Sequence, residues 1–290
     1  MNVKDQNEIV NIMPDRQRES FLGALNLEIS SMGEVLPQHN ERCLHKEMVS
    51  RLTGSWVLIK IDFLIFAVFV LLTPATIRAG ENGDTFFGSV IWSSSYISEG
   101  IDNLPERQVV QAEIGYSIAD FIFSGVILSA LTERYAEFSI AAEYGFEIGT
   151  VDISAGVATT FLNNLFTVEV GALVSKRFES GIFVDFESVS DLKEVKGGFY
   201  ELSTGWDIEL FSQKLSVTPF ALLGIDWGIV RDQRTLQINH YSFGIENVYV
   251  ISDAFAFFLT LETFHPLANL KDIDQTDHLW NISAGFEIEL

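Results

Sequence analysis

Carboxylates recur at two-residue steps between residues 109 and 289 of this chain, and they are its most promising chemical groups. The set is Glu113, Glu137, Glu143, Glu169, Asp185, Glu187, Glu201, Asp207 and Glu262. Acidic side chains gathered around a confined aqueous space attract cations and repel anions. A different chemistry would come from His240 and Ser242, which share one face of a strand because they are two residues apart. A hydrolase needs a Ser, a His base within hydrogen-bond reach and a third group that orients the base. No third member stands out here. Asp272, Asp274 and Asp277 are spaced like calcium ligands, but no Gly occupies the position at which a calcium loop turns. The glycines are dispersed along strand-like segments and form no phosphate-cradling loop. No metal, cofactor or catalytic residue is expected, and the chain is read as a non-enzyme.

What positions such acids follows from composition. The chain has 290 residues, with 40 Asp+Glu against 18 Lys+Arg and a formal net charge of -22. Hydrophobic residues make up 48 % and charged residues only 20 %, a balance too apolar for a disordered chain. The missing basic footprint excludes nucleic acid as a partner. The single Cys, Cys43, excludes an intrachain disulfide framework and a Cys-rich zinc site.

Residues 1–47 are polar and without period. Residues 48–79 then carry Arg51 and Lys60, an apolar run from Phe63 to Leu72, and a small residue, Ala79, before a polar stretch. That order is expected of a secretory signal peptide. An uncleaved anchor over about 56–77 is the alternative, but Lys60 and Asp62 shorten its apolar span below the ~20 residues a membrane helix needs. Met48 is placed to be the true start, which would make 1–47 a start-site artefact. Cleavage after Ala79 leaves residues 80–290, which hold 31 of the 40 acids, 10 of the 18 bases and no Cys.

Within 80–290 the sequence alternates with period two. In 135–147, Ala136, Phe138, Ile140, Ala142, Tyr144 and Phe146 alternate with Glu137, Ser139, Ala141, Glu143, Gly145 and Glu147. The segments 109–118, 151–161, 199–209 and 278–290 repeat the pattern. Strand side chains point to opposite faces in turn, so each segment has one apolar and one polar face. Weaker alternation over 85–96, 121–130, 165–173, 180–188, 215–228, 236–246 and 254–264 brings the expected strand count to twelve. The connections are too short for crossover helices, so neighbours pair antiparallel. The longest, 97–106, 189–197 and 265–277, all follow odd-numbered strands and lie on one side.

An all-β fold follows: a transmembrane antiparallel up-and-down β-barrel of about twelve strands, with long loops on one rim and short turns on the other. A soluble sandwich would share the alternation. The basic residues decide against it, because all ten fall in expected connections, whereas a soluble surface mixes both signs. Tyr116, Phe146, Phe161 and Trp280 near the ends of apolar faces match interfacial aromatic girdles. Lipid offers no partner to a free sheet edge, so the last strand must close on the first.

The first strand and loop read Trp92-Ser-Ser-Ser-Tyr96-Ile-Ser-Glu-Gly100-Ile-Asp-Asn103. This resembles the opening S-x-Y-hydrophobic-x-x-G of TorF-type putative porins, an uncharacterised porin-like family of outer-membrane barrels. Where that family usually has Arg before the Gly, this chain has Glu99. The resemblance implies a porin-like protein of a Gram-negative outer membrane and leaves the solute open. The expected function is passive diffusion of small solutes or ions, with cations preferred through an acidic lumen. Alternatives are a non-conducting structural or adhesive barrel and, further off, a barrel lipid hydrolase. Expected partners are outer-membrane lipids, small solutes or cations, and the barrel-assembly machinery acting through the C-terminal strand 278–290.

Overall fold

The computed structural model describes residues 84–290 apart from 99, 106, 133–134, 163–164, 193–196, 212, 229–234, 268–269 and 271–277. The polar extension 1–47, the signal segment 48–79 and the Asp272, Asp274 and Asp277 group lie outside the described residues.

Alternation becomes strand in the expected order. The barrel strands are β1 (Thr85–Ser93), β2 (Val109–Ile118), β3 (Phe121–Ala130), β4 (Ala136–Ile148), β5 (Val151–Leu162) and β6 (Leu165–Arg177). They continue as β7 (Ile182–Asp191), β8 (Gly198–Trp206), β9 (Leu215–Trp227), β10 (Gln237–Ser252), β11 (Phe255–Pro266) and β12 (Leu279–Glu289). After a break at Asp207, Ile208–Leu210 prolongs β8 along β9. Each strand pairs antiparallel with its sequence neighbour, β8 with β9 included. β1 pairs with β12 from Phe87↔Glu289 to Ser93↔Ser283, so the sheet has no free edge. Phe86 and Leu290 lock the seam by exchanging N–H···O bonds of 2.9 and 2.8 Å.

The connections differ from expectation in two ways. β1 ends at Ser93, and 94–96 belong to the first loop. The 228–236 connection between β9 and β10 outlasts 192–197 between β7 and β8. The sidedness holds, since 94–108, 228–236 and 267–278 all follow odd strands. The opposite rim is made of tight turns at 119–120, 149–150 and 253–254. Gly149 takes φ +69° in one of them, a conformation costly to most other residues.

One face of every strand points away from the barrel and is apolar. Ile140, Val157, Val170, Val184, Leu202 and Ile245 are exposed there, and lipid is the solvent that suits them. Withdrawing such a side chain from water contributes roughly 1.5–3 kcal/mol. Aromatic residues concentrate at both ends of this band. Phe121, Tyr144 and Phe146 cluster near the short turns, with ring centroids 4.9 Å (Phe121–Tyr144) and 6.0 Å (Tyr144–Phe146) apart. Phe138, Phe161 and Phe166 stack at 6.2 Å spacings near the loops. Tyr116 and Trp280 are exposed at the same two levels.

The inner face breaks the simple pattern, because it carries large rings that lie on glycines of the next strand. Phe87 faces Gly115, Phe183 faces Gly205, Phe220 faces Gly244 and Phe258 faces Gly285, each as a direct register partner. A Cβ at Gly115 would fall 2.0 Å from Phe87 Cζ, and one at Gly244 would fall 2.2 Å from Phe220 Cζ. Only a residue without a side chain leaves room for the ring. These pairs fix register between strands as a ring seated in a gap would.

Candidate functional site

Each sequence-derived acid sits on the strand face opposite the lipid-facing band, or directly beside it. Glu113 of β2 lies opposite Ser89 and Val126, and Glu137 and Glu143 share the inner face of β4. Glu169 of β6 lies opposite Asp191 of β7, and both are buried. Asp185 accepts a 2.6 Å bond from Ser175 Oγ, and Glu262 accepts one of the same length from Ser242 Oγ. Glu187 of β7 and Glu201 of β8 are direct cross-strand partners. Like charges placed directly opposite repel, so this pair favours any cation that comes between them.

The fold gathers part of the set. Asp185, Glu187, Glu201 and Glu262 line one internal cavity of about 300 Å³, and Glu246 joins them. Apolar side chains, Phe183, Phe220, Leu222 and Leu173, form the rest of much of its wall. Glu113, Glu137, Glu143 and Glu169 occupy the β2–β6 sector and are not part of this cavity. Asp207 sits at the break after β8 and is engaged. Arg177 forms a salt bridge with it, and Thr218 Oγ1 donates to it at 2.8 Å.

Arg177 corrects one premise. It belongs to strand β6, in register with Phe183 on the inner face, and Lys176 precedes it in the same strand opposite Val184, so neither is in a connection. Its guanidinium also lies 5.3 Å from the Phe183 ring. Sequence reasoning placed the end of this strand four residues early, because Lys176 and Arg177 read as a turn.

Two inner acids were missed, Glu246 and Asp226, which are buried on the inner faces of β10 and β9. Glu287 and Glu289 lie on the inner face of β12, where the alternation of 278–290 puts them. Glu246 shares the even parity of His240 and Ser242, which was the available signal. Asp226 had none, because its face reads Ser216, Thr218, Phe220, Leu222, Gly224 and Asp226 and mixes apolar with polar.

The first loop folds into the barrel. Tyr96, Leu104, Val109, Leu128 and Ala130 form a buried apolar cluster with Tyr135 against it. Tyr96 Oη donates to Glu137 Oε2 at 3.0 Å, and Tyr135 donates to the other oxygen of the same carboxylate. A short ribbon, Ile97–Ser98 with Ile101–Asp102, carries the loop onward to Gly100. Gly100 has φ +76°, and a Cβ there would meet His240 Nδ1 at 2.6 Å. The loop therefore spans from Glu137 on β4 to His240 on β10. The Tyr and Gly of the loop motif are the two residues that make these contacts.

His240 and Ser242 share the inner face of β10, as expected, but no hydrogen bond joins them among the described residues. Ser242 donates to Glu262, and among the described residues neither ring nitrogen of His240 has a hydrogen-bond partner. The imidazole is instead packed against Phe199, Phe264, Gly100 and Gly224. His265 and His278 lie together at the loop rim, with ring centroids 4.4 Å apart.

This closed antiparallel barrel of twelve strands, with an apolar outer belt and two aromatic girdles, has the build of a transmembrane β-barrel. Among solved structures it is similar to the NanC porin, with a TM-score of 0.50 at 9 % identity over 71 % of this chain and 100 % of that one. The KdgM porin in complex with disordered oligogalacturonate gives 0.49 at 9 % identity, covering 70 % and 98 %. The COG4313 outer membrane channel from Pseudomonas putida F1 gives 0.48 at 9 % identity, covering 74 % and 97 %. At such identities the likeness speaks for the fold alone. No protein-family model and no curated protein matches the chain. The TorF-type resemblance thus rests on the loop motif.

Proposed function

We propose that this chain is an outer-membrane pore for passive diffusion of small solutes, and that carboxylates lining its lumen make it prefer cations. The observation that carries this reading is the opposition of faces. Exposed apolar side chains lie outside, while Asp185, Glu187, Glu201, Glu246 and Glu262 surround an internal cavity. Fixed negative charge in a narrow aqueous passage lowers the energy of a cation and raises that of an anion. Arg177 offsets Asp207, so Asp207 contributes least to this field. Under the same proposal the outer belt meets outer-membrane lipids, and β12 presents residues 278–290 to the assembly machinery.

The test is the reversal potential of the refolded chain in a planar bilayer across a potassium chloride gradient. The expected sign is that of cation preference, and Glu187→Gln with Glu201→Gln reduces the potential toward zero. Anion preference would refute the reading. A second reading is favoured by the inward first loop, whose Tyr96–Glu137 and Gly100–His240 contacts narrow the loop end. In that reading the barrel is structural and does not conduct. An absence of conductance in the same bilayer experiment would favour it.

A further inference from the structure

The cavity differs from a simple acidic passage because its charge is divided by an apolar wall. Asp185, Glu187 and Glu201 come from β7 and β8, and Glu246 and Glu262 come from β10 and β11. The strand between these two sectors is β9, and it contributes Phe220 and Leu222 to the lining. Around the wall the order is acid, apolar, acid. Glu187 is half-buried, but its Oε1 atom is shielded and has no hydrogen-bond partner among the described residues. A buried carboxylate oxygen left without a donor is costly, so the site lacks N–H groups that a ligand would bring.

We propose that this cavity binds an elongated organic dication, a diamine whose two ammonium groups are joined by a short aliphatic stem. The proposal rests on the pore reading above and names the solute class the passage would take. Each ammonium offers three donors, enough for Glu187 and Glu201 on one side and Glu262 and Glu246 on the other. The methylene stem lies along Phe220 and Leu222. From β8 to β10 is two strand spacings, roughly 9–10 Å between backbones. Side chains converging inward shorten that span to the reach of a chain of a few methylenes. A volume of about 300 Å³ accommodates such a molecule. A hydrated inorganic cation would gain nothing from the Phe and Leu wall. A neutral molecule would leave the carboxylates unanswered.

The experiment is calorimetric titration of the full chain, refolded in detergent micelles, with cadaverine, with pentylamine as its singly charged counterpart, and with potassium chloride. Cadaverine is expected to bind at least about tenfold more tightly than pentylamine, the gain from a second charge-assisted contact. Glu187→Gln and Glu262→Gln, which sit on opposite sides of the apolar wall, should each weaken cadaverine binding by about tenfold. Far-ultraviolet circular dichroism confirms the strand content of each variant, and two separate variants keep the test open if one misfolds. Equal binding of cadaverine and pentylamine, or unchanged binding in both variants, overturns the site. Cation-selective conductance without diamine binding overturns the site and leaves the pore reading intact. Diamine binding without conductance overturns the pore reading and supports the site.

Discussion

Ile140→Lys is expected to destabilise the barrel by about 2–4 kcal/mol, while Ala141→Lys, one residue further on, changes stability by less than about 1 kcal/mol. The two positions are neighbours in sequence and opposite in environment. Ile140 pairs with Gly125 and Thr159, near the middle of β3 and β5, and its side chain is exposed on the outer belt. An ammonium there would have to enter hydrocarbon at depth. Ala141 pairs with Ser124 and Ala158 on the inner face, the face that also holds Glu137 and Glu143. An ammonium at that position meets carboxylates and inner polar groups. Urea titration of the chain refolded in lipid vesicles, followed by fluorescence of its 5 Trp, measures both variants. Equal costs at the two positions, or a larger cost at Ala141, would mean that the faces are assigned the wrong way round.

The second large effect concerns the ring-over-glycine pairs. Gly115→Val should cost about 1–3 kcal/mol, the usual range for forcing extra atoms into a packed site. Its Cβ would fall 2.0 Å from Phe87 Cζ, a separation no packing tolerates, so the ring must leave its place. Phe87→Ala removes the obstacle. The double variant should therefore be less destabilised than the sum of the two single ones, because the residues share one contact. Strict additivity in the same urea titration would show that Phe87 does not rest on Gly115. The seam is a sensitive place for this test, since β1 closes the barrel against β12 along the same stretch.

Much of this barrel was legible because lipid enforces a rule that sequence can display. The outer face has to be apolar at every second residue, so β2, β4, β5 and β12 could be read from alternation nearly residue by residue. The inner face obeys no such rule. It holds Glu143 and Ser139 but also Phe183, Phe199 and Phe220, which look from sequence like outward residues. Strands carrying inner rings therefore had weak alternation and uncertain ends, β9 and β10 above all. β10 runs to Ser252, well past the expected end at 246. The glycines opposite those rings gave no local signal either, because each answers to a partner on another strand.

The candidate site was legible in its residue types and less so in its assembly. Parity alone put Glu187, Glu201 and Glu262 on one face. Which of the acids share a cavity depends on strand register around the barrel, and period two does not encode register between strands. Arg177 was misplaced for a related reason, since a basic residue at a strand end resembles a turn until its partner Asp207 is known. The loop motif of Tyr96 and Gly100 was visible, but its inward course depends on Glu137 and His240, residues distant in sequence.

The central claim is that the face bearing the acids lines a water-filled passage and the other face meets lipid. Residues 80–290 contain no Cys, so single cysteines can be placed along β4 in a Cys43→Ser background. The measurement is bilayer current before and after a charged, water-soluble thiol reagent is added. Cysteines at Ala141, Glu143 and Gly145 should react and change the current, and those at Ile140, Ala142 and Tyr144 should not. Reaction at the even positions, or the same response at both sets, would contradict the account.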